Sequence, residues 1–485
     1  MKQKIEKKDW VFLLFCLLIG IFAEEAFFRG RIGISFFVFI VFFYAVFFWR
    51  YRSFPFSHQR FGYLILIAVW VLASGYYLYD TILFYLLNIL VIPALVIFHL
   101  ALITSPKNIQ WNRLFFFRYT LLRLFSGLRY SAIFTKHITA RMMQRNKGNR
   151  STIVKKVLLG CVFAIPFLMV ILNLLTSADT QFEKLLMGIP DLVHFNPKYL
   201  IRFILILIIT FCIFGYLQSL LHKYVPKQEQ KTSVQSFSLD GIITLTVLIL
   251  LNIVYILFVA VQFKYFFSGT LGGGYTYAEY ARRGFFELLF VTLINLSMIT
   301  GVILWTKIGV GLLKKALNFS LTILVLASGV MLVSAFMRLS MYEEAYGFTF
   351  SRVLAHSFMI FLMVILAYTL VKIWLEKLSL FHFYFIAALI YYTGINVVNI
   401  DRFVVKENIA LYEETGKIDI HYLNQMSASG VLGLIELYEK HPDVPGLKDM
   451  LEQRKKERAN LKSDLWQSQN ITRNSADEKL EKLDF

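Results

Sequence analysis

Apolar runs about twenty residues long recur throughout this chain, each closed off by charge, and no soluble core can absorb so many. A helix needs roughly 20 residues to cross a bilayer, because each residue advances about 1.5 Å through a hydrocarbon core about 30 Å thick. Eleven such runs are legible, at 10–28, 32–49, 62–79, 82–103, 153–175, 200–221, 241–262, 286–306, 316–337, 353–372 and 380–399. Lipid offers the backbone no hydrogen-bond partner, so each run must satisfy its own peptide groups as a helix. A chain of 485 residues that is 58% hydrophobic and 17% aromatic fits that reading. The expected fold is all-α: a polytopic integral membrane helix bundle of about 11 spans with a small extracytoplasmic C-terminal helical domain.

Charge placement sets the expected sidedness. Between Thr104 and Lys156 stand twelve Lys or Arg and no Asp or Glu. A polycationic segment between two spans stays in the cytoplasm and touches anionic lipid head groups. Nucleic acid is not the expected partner, since no recognition motif accompanies the charge. The first span follows "MKQKIEKK", lacks a convincing cleavage site and reads as an uncleaved signal-anchor. With the N-terminus inside, an odd number of spans places the C-terminus outside. Residues 400–485 carry thirteen basic and sixteen acidic groups, a net of −3, which leaves +22 on the rest of a chain whose formal charge is +19. The domain boundaries expected are 1–103 for spans one to four, 104–152 for the basic cytoplasmic loop and 153–399 for spans five to eleven. An outer helical domain follows at 400–462, then a polar mobile tail at 463–485. Within that domain Gly416 stops one helix, Asp419 and Ser427 cap the next two, and Pro445 opens a fourth.

The stretch "YTYAEYARRGFFELLF" puts Glu279, Arg282, Arg283 and Glu287 directly against an apolar run. Thr276 and Glu279 have capping-box spacing, so a helix is expected to start at Thr276. Glu279, Arg283 and Glu287 would then stack along one face at i, i+4 and i+8. Other unusual charges fall on the same expected outer side: Glu24, Glu25, Arg29, Arg31, Asp80, Arg338, Glu343, Glu344 and Arg352. Arginines there run against the positive-inside trend and require a carboxylate or an anionic ligand as partner. The candidate ligand-binding set is therefore Glu24, Glu25, Asp80, Glu279, Arg282, Arg283, Glu287, Arg338 and Glu343.

Three phrases, "YTYAEYARRGFFELL", "MRLSMYEEAYGFTFSR" and "NVVNIDRFVVKENIALYEETGKIDIHYLNQMS", follow in this order after several spans. The chain thereby resembles the bacterial membrane family called domain of unknown function 4173, with its relative 4153, from about span three to Ser427. The resemblance implies a polytopic bundle with a short appended domain and carries no established chemistry.

No GxSxG elbow, HExxH helix, CxxC pair, Walker loop or Rossmann glycine pattern occurs in a suitable context. No cofactor and no metal are expected. Cys16, Cys161 and Cys212 sit in apolar runs and read as packing residues. Asn173, Asn252, Gln262 and Asn295 are expected to bond between helices, and His356 to pack as a satisfied side chain. The function expected first is a non-enzymatic binding or transport module of the cell membrane, with a charged outer-face site for an anionic small molecule, lipid or partner. The alternatives are an outer-face enzyme acting on a lipid-linked or glycan substrate, and a structural or assembly protein.

Overall fold

The computed structural model describes residues 7–113, 115–145, 197–221, 239–268, 284–306, 311–459 and 465–484, with isolated positions between 160 and 182. Among these residues there is no strand, only a single bridge between Leu239 and Thr306. The helices are α1 (Lys7–Phe28), α2 (Ile34–Arg50), α3 (Gln59–Leu78), α4 (Ile82–Thr104), α5 (Phe115–Arg145), α6 (Pro197–Leu221), α7 (Gly241–Ser268) and α8 (Phe285–Trp305). They continue with α9 (Leu312–Tyr346), α10 (Phe350–Trp374), α11 (Leu380–Val397), α12 (Ile400–Thr415), α13 (Ile420–Gln425), α14 (Ala428–Lys440), α15 (Leu447–Ala459) and α16 (Ile471–Lys482). Nine of those described, α1, α3, α4 and α6 to α11, are long and apolar enough to cross a membrane, which makes this a multi-pass helical protein. At 17 residues α2 is shorter, and most of the run at 153–175 lies outside the described residues.

Two apolar clusters divide the bundle. One joins α1 to α6 through side chains such as Phe12, Phe47, Ile65, Ile92 and Phe214. The other joins α7 to α10 around Leu324, Ile299 and Leu362. Helix α11 connects them: Phe385 packs on Phe61 and Phe98, while Tyr391 stacks on Phe361 of α10. Asn396 accepts from Asn88 at 2.8 Å, and Tyr392 donates to Asn88 at 2.7 Å, so the join also has a buried polar seam.

Within the second cluster the long α9 collects the polar groups of its neighbours. Asn252 donates to Ser320, Asn295 donates to Ser328, and Ser334 donates to Gln262, at 2.8, 3.0 and 3.0 Å. These are interhelical bonds of the kind expected for Asn252, Asn295 and Gln262; Asn173 lies outside the described residues. Such bonds contribute about 0.6 kcal/mol each on average, so their main effect is to fix helix register.

The basic segment expected as a loop is helical over Phe115–Arg145. Its buried positions Phe116, Tyr119, Thr120, Arg123, Gly127, Ser131 and Phe134 recur at helical spacing, while Arg118 and Arg129 point outward. Scattered basic residues masked this stripe, and two of its members are glycine and serine. These small residues let the backbones meet: a Cβ added at Gly127 would lie 2.7 Å from the Tyr216 Cα, and one at Gly215 would collide with Ser131 and the Gly127 carbonyl. Ser131 then donates to the Phe211 carbonyl at 2.6 Å.

A second correction concerns the charged ladder. Gly284 has a φ of 88°, left-handed, and α8 begins after it at Phe285. The helix expected to run from Thr276 through Glu287 is therefore interrupted at Gly284; Thr276, Glu279 and Arg283 themselves lie outside the described residues.

Helices α12 to α16 share their own apolar cluster around Leu423, Leu434, Leu437 and Leu451. Gly416 ends α12 at a φ of 70°, Asp419 caps α13 and Ser427 caps α14. Residues 463–485 were expected to be unstructured. Instead a 3-10 turn (Trp466–Ser468) and α16 form; Leu480 of α16 joins the apolar cluster, Trp466 stacks on Phe22, and hydrogen bonds complete the docking.

Gly215→Ala should lower the thermal unfolding midpoint of the purified protein by several degrees, as overpacking costs about 1–3 kcal/mol. Gly329→Ala, where an added Cβ meets nothing within 4 Å, should leave it unchanged or slightly raised. Equal midpoints for the two variants would refute the close α5–α6 contact.

Candidate functional site at one end of the bundle

The Phe28 end of α1 gathers charge from five segments. Glu24, one turn before the end of α1, has a side chain only 2% exposed. Arg29 reaches back along the chain to Glu24 at 3.5 Å and to Glu25 at 2.8 Å, and Arg202 arrives from the first turns of α6 at 3.3 Å from Glu24. Asp80, in the turn between α3 and α4, sits between two guanidiniums: Arg31 at 2.7 Å and Arg473 at 3.0 Å. Removing a carboxylate from water is tolerable when cations and donors replace its hydration, and here arginines do so. Arg29, Arg31 and Arg202 each keep their outer side toward solvent, roughly two-fifths exposed. A guanidinium has five N–H donors, so these residues can still address an anion.

The C-terminal segment straps across the same end. Gln467 donates to Glu25 at 2.6 Å, and the Ile34 amide donates to the Gln469 carbonyl at 3.1 Å. Asn470 donates to the Tyr76 and Tyr79 carbonyls at 2.9 and 2.8 Å, and Thr472 to the Leu78 carbonyl at 2.6 Å. Those carbonyls are the unpaired last turn of α3, which a helix cannot satisfy by itself. Gly33 permits the approach, since a Cβ there would lie 2.5 Å from the Gln469 carbonyl oxygen.

Below the ion pairs an apolar cleft of about 650 Å³ opens between α1, α2, α4 and α6. Its walls among the described residues include Phe27, Phe36, Phe43, Ile97 and Ile213, with Pro93 in the α4 wall. Along α4 the lining runs from Ile89 to Leu100, which at about 1.5 Å per residue is about 16 Å, roughly one leaflet of a hydrocarbon core about 30 Å thick. Arg202 precedes the lining residues Ile209 and Ile213 by seven and eleven positions, so it stands on the cleft-facing side of α6. Ala23, next to Glu24, closes the upper end.

A second charged group lies in the other half of the bundle. Arg338 donates to Gln262 at 3.1 Å, and Glu343 pairs with His356 Nδ1 at 3.0 Å. His356 Nε2 faces the Phe336 carbonyl at 3.3 Å and the Ser340 hydroxyl at 3.4 Å, as expected of a histidine satisfied by packing. Of the nine residues singled out in the sequence, the structure thus unites Glu24, Glu25 and Asp80, and sets Arg338 and Glu343 apart from them. Glu287 is exposed on α8, and Glu279, Arg282 and Arg283 lie outside the described residues.

A family model described as Domain of unknown function (DUF4153) matches residues 66–437, well over half of the chain. The chain belongs to the DUF4153 family. The family shown is therefore 4153, and it enters where the resemblance named 4173 first. No curated protein and no solved structure matches the chain. The DUF4153 match takes in Asp80, Arg202 and Asp401, whereas α1, α2 and the strap stand outside it.

Sequence reasoning missed Arg202, Asp401 and the strap residues Gln467, Asn470 and Arg473. Arg202 had a signal, as a lone charge inside an apolar run. Asn470 had a weaker one: it caps α16 by accepting from the Arg473 amide. Asp401 is buried where the C-terminal helices meet the bundle, and its Oδ2 accepts from Thr81 and Ser427, both at 2.7 Å.

Asp80→Ala removes the carboxylate shared by Arg31 and Arg473. Hydrogen exchange at the Ile34 amide should then rise by roughly tenfold or more, since charge-assisted bonds contribute about 1.5–3 kcal/mol each. Unchanged exchange would show that the strap holds without this pair.

Burial raises the Asp401 carboxyl above the ordinary carboxylate range, with Asp80 adding to the shift, against the two hydroxyl donors. A raised folded-state pKa means that the contribution to stability is greatest at low pH and is lost as pH rises through it. Asp401→Asn keeps an acceptor without the charge. Its melting temperature relative to the native protein should be similar near pH 4 and increasingly higher toward pH 7, above the ordinary Asp pKa of about 3.9. A difference independent of pH would contradict the burial cost.

Proposed function

We propose that this DUF4153 protein is a cell-membrane binding or transport module for an amphiphile with an anionic head group, such as a phosphate-bearing lipid. The N-terminus lies in the cytoplasm, about eleven segments cross the bilayer, and helices α12 to α16 form a small domain outside. The observation that carries this reading is the leaflet-deep apolar cleft with arginine-rich ion pairs at its upper end. An acyl or isoprenyl chain fits walls that offer almost no polar group, and Arg29 and Arg202 offer donors at head-group height. Cationic helix ends on the opposite side, including the basic α5, support the orientation and a contact with anionic lipids there.

A structural or assembly role is favoured by one specific observation: Glu24, Glu25 and Asp80 are already neutralised by the chain's own arginines. The two readings separate on one experiment. Lipids bound to the purified protein are measured by native mass spectrometry, alongside an Arg29→Ala/Arg202→Ala variant and a Cys212→Trp variant that fills the cleft. Binding predicts an anionic lipid retained by the native protein and depleted several-fold in both variants. Identical lipid profiles in correctly folded samples would leave the structural role.

A further inference from the structure

At the end of the bundle away from the strap, α8 ends at Trp305, α9 begins at Leu312 and α10 ends at Trp374. Between them lies a second pocket, of about 590 Å³, independent of the cleft described above. Its floor is apolar, formed by Val302, Leu317, Leu321 and Ile373, and its rim carries Lys314, Lys372, Asn318 and Thr306. The Thr306 hydroxyl is buried and has no hydrogen-bond partner among the described residues. Trp305 and Trp374 flank the pocket and are about half exposed, as are indoles placed at the boundary between acyl chains and head groups.

The charges at this rim are unequal. Among the described residues two ammonium groups, Lys314 and Lys372, line it, and Lys315 and Lys377 are exposed nearby in sequence. Against them stand Glu376, which holds Lys314 at 2.5 Å, and Asp240, whose carboxylate is engaged in accepting from the Ile242 and Ile243 amides at the start of α7. Lys372 donates to the Glu376 carbonyl rather than to a carboxylate. Two ammonium groups therefore bracket a mouth that has a greasy floor, an unused hydroxyl and an aromatic frame at interface depth.

We propose that this pocket binds the head group of an anionic phospholipid in the leaflet opposite the strap, with Lys314 and Lys372 addressing the phosphate and the apolar floor receiving the first part of a chain. Glu376 competes with the phosphate for Lys314 and so weakens the site. Lipid is the occupant because the floor opens at acyl depth; a soluble phosphate would leave that surface without a partner.

The test uses the full-length protein in phosphatidylcholine nanodiscs, with phosphatidylglycerol added and retention read by native mass spectrometry after gentle release. Lys314→Met/Lys372→Met should reduce retained phosphatidylglycerol by roughly thirtyfold, given about 1 kcal/mol for each of the two lysines near an anionic surface. Lys315→Met should change it little, and Glu376→Gln should increase it. Asn318→Phe, which fills the pocket without changing charge, should mimic the double variant and guards against a loss that merely reflects altered net charge. Two results would overturn the proposal. One is equal retention in native and double-variant protein; the other is displacement by glycerol 1-phosphate, which would assign the pocket to a soluble ligand. Because the Arg29 and Arg202 variants leave this pocket intact, one lipid lost in each set distinguishes the two sites.

Discussion

Glu24 sits almost without solvent near the end of a helix whose central length is apolar, and the surrounding end of the bundle is organised by the need to neutralise it. An isolated carboxylate there would cost several kcal/mol, so the chain brings two guanidiniums from different directions. Arg29 is local and folds back over the last turn of its own helix. Arg202 is remote and forces the first turns of α6 against α1. A Cβ at Gly20 would lie 2.9 Å from the Ile206 carbonyl oxygen, so the two helices are already close one turn deeper. Ion pairing and backbone contact thus fix the same pair of helices, and the cleft is the space left where α2 and α4 complete the ring.

The spans were legible because apolar length is a one-dimensional property, and nine of them reappear as helices of membrane-crossing length. Caps at Asp419 and Ser427 and the stop at Gly416 were legible for a similar reason, since each depends on residues a few positions apart. What escaped were contacts made by small or polar residues across long separations. Gly127 and Gly215 read as weak helix positions in isolation, yet they are where α5 and α6 touch. Gln467, Asn470 and Arg473 read as solvated polar residues, because nothing near them in sequence reveals that α3 leaves its last carbonyls unpaired. The helix expected through Glu287 is interrupted by a single torsion, the positive φ of Gly284, which nothing in the neighbouring sequence reveals.

The charged groups also separate by task. Around Glu24 and Asp80, arginines and carboxylates alternate and nearly cancel, with half-exposed guanidiniums left on the outer side. Around Arg338 and Glu343 the partners are Gln262 and His356, and the polar atoms turn into the helix interface. At the far end, Lys314 and Lys372 face a single exposed carboxylate, Glu376. Three arrangements of the same residue types thus differ in what their charged groups face: one another, the helix interface, or an apolar pocket.

The strap has an implication for biosynthesis. The last carbonyls of α3 and the carboxylate of Asp80 leave the ribosome hundreds of residues before Asn470 and Arg473 do. Until Arg473 has been made, helix α3 therefore waits with an unsealed end, and a chain terminated before that point can never close it. Quality-control proteases that patrol the membrane surface would meet in such a product an open helix end that the finished chain conceals.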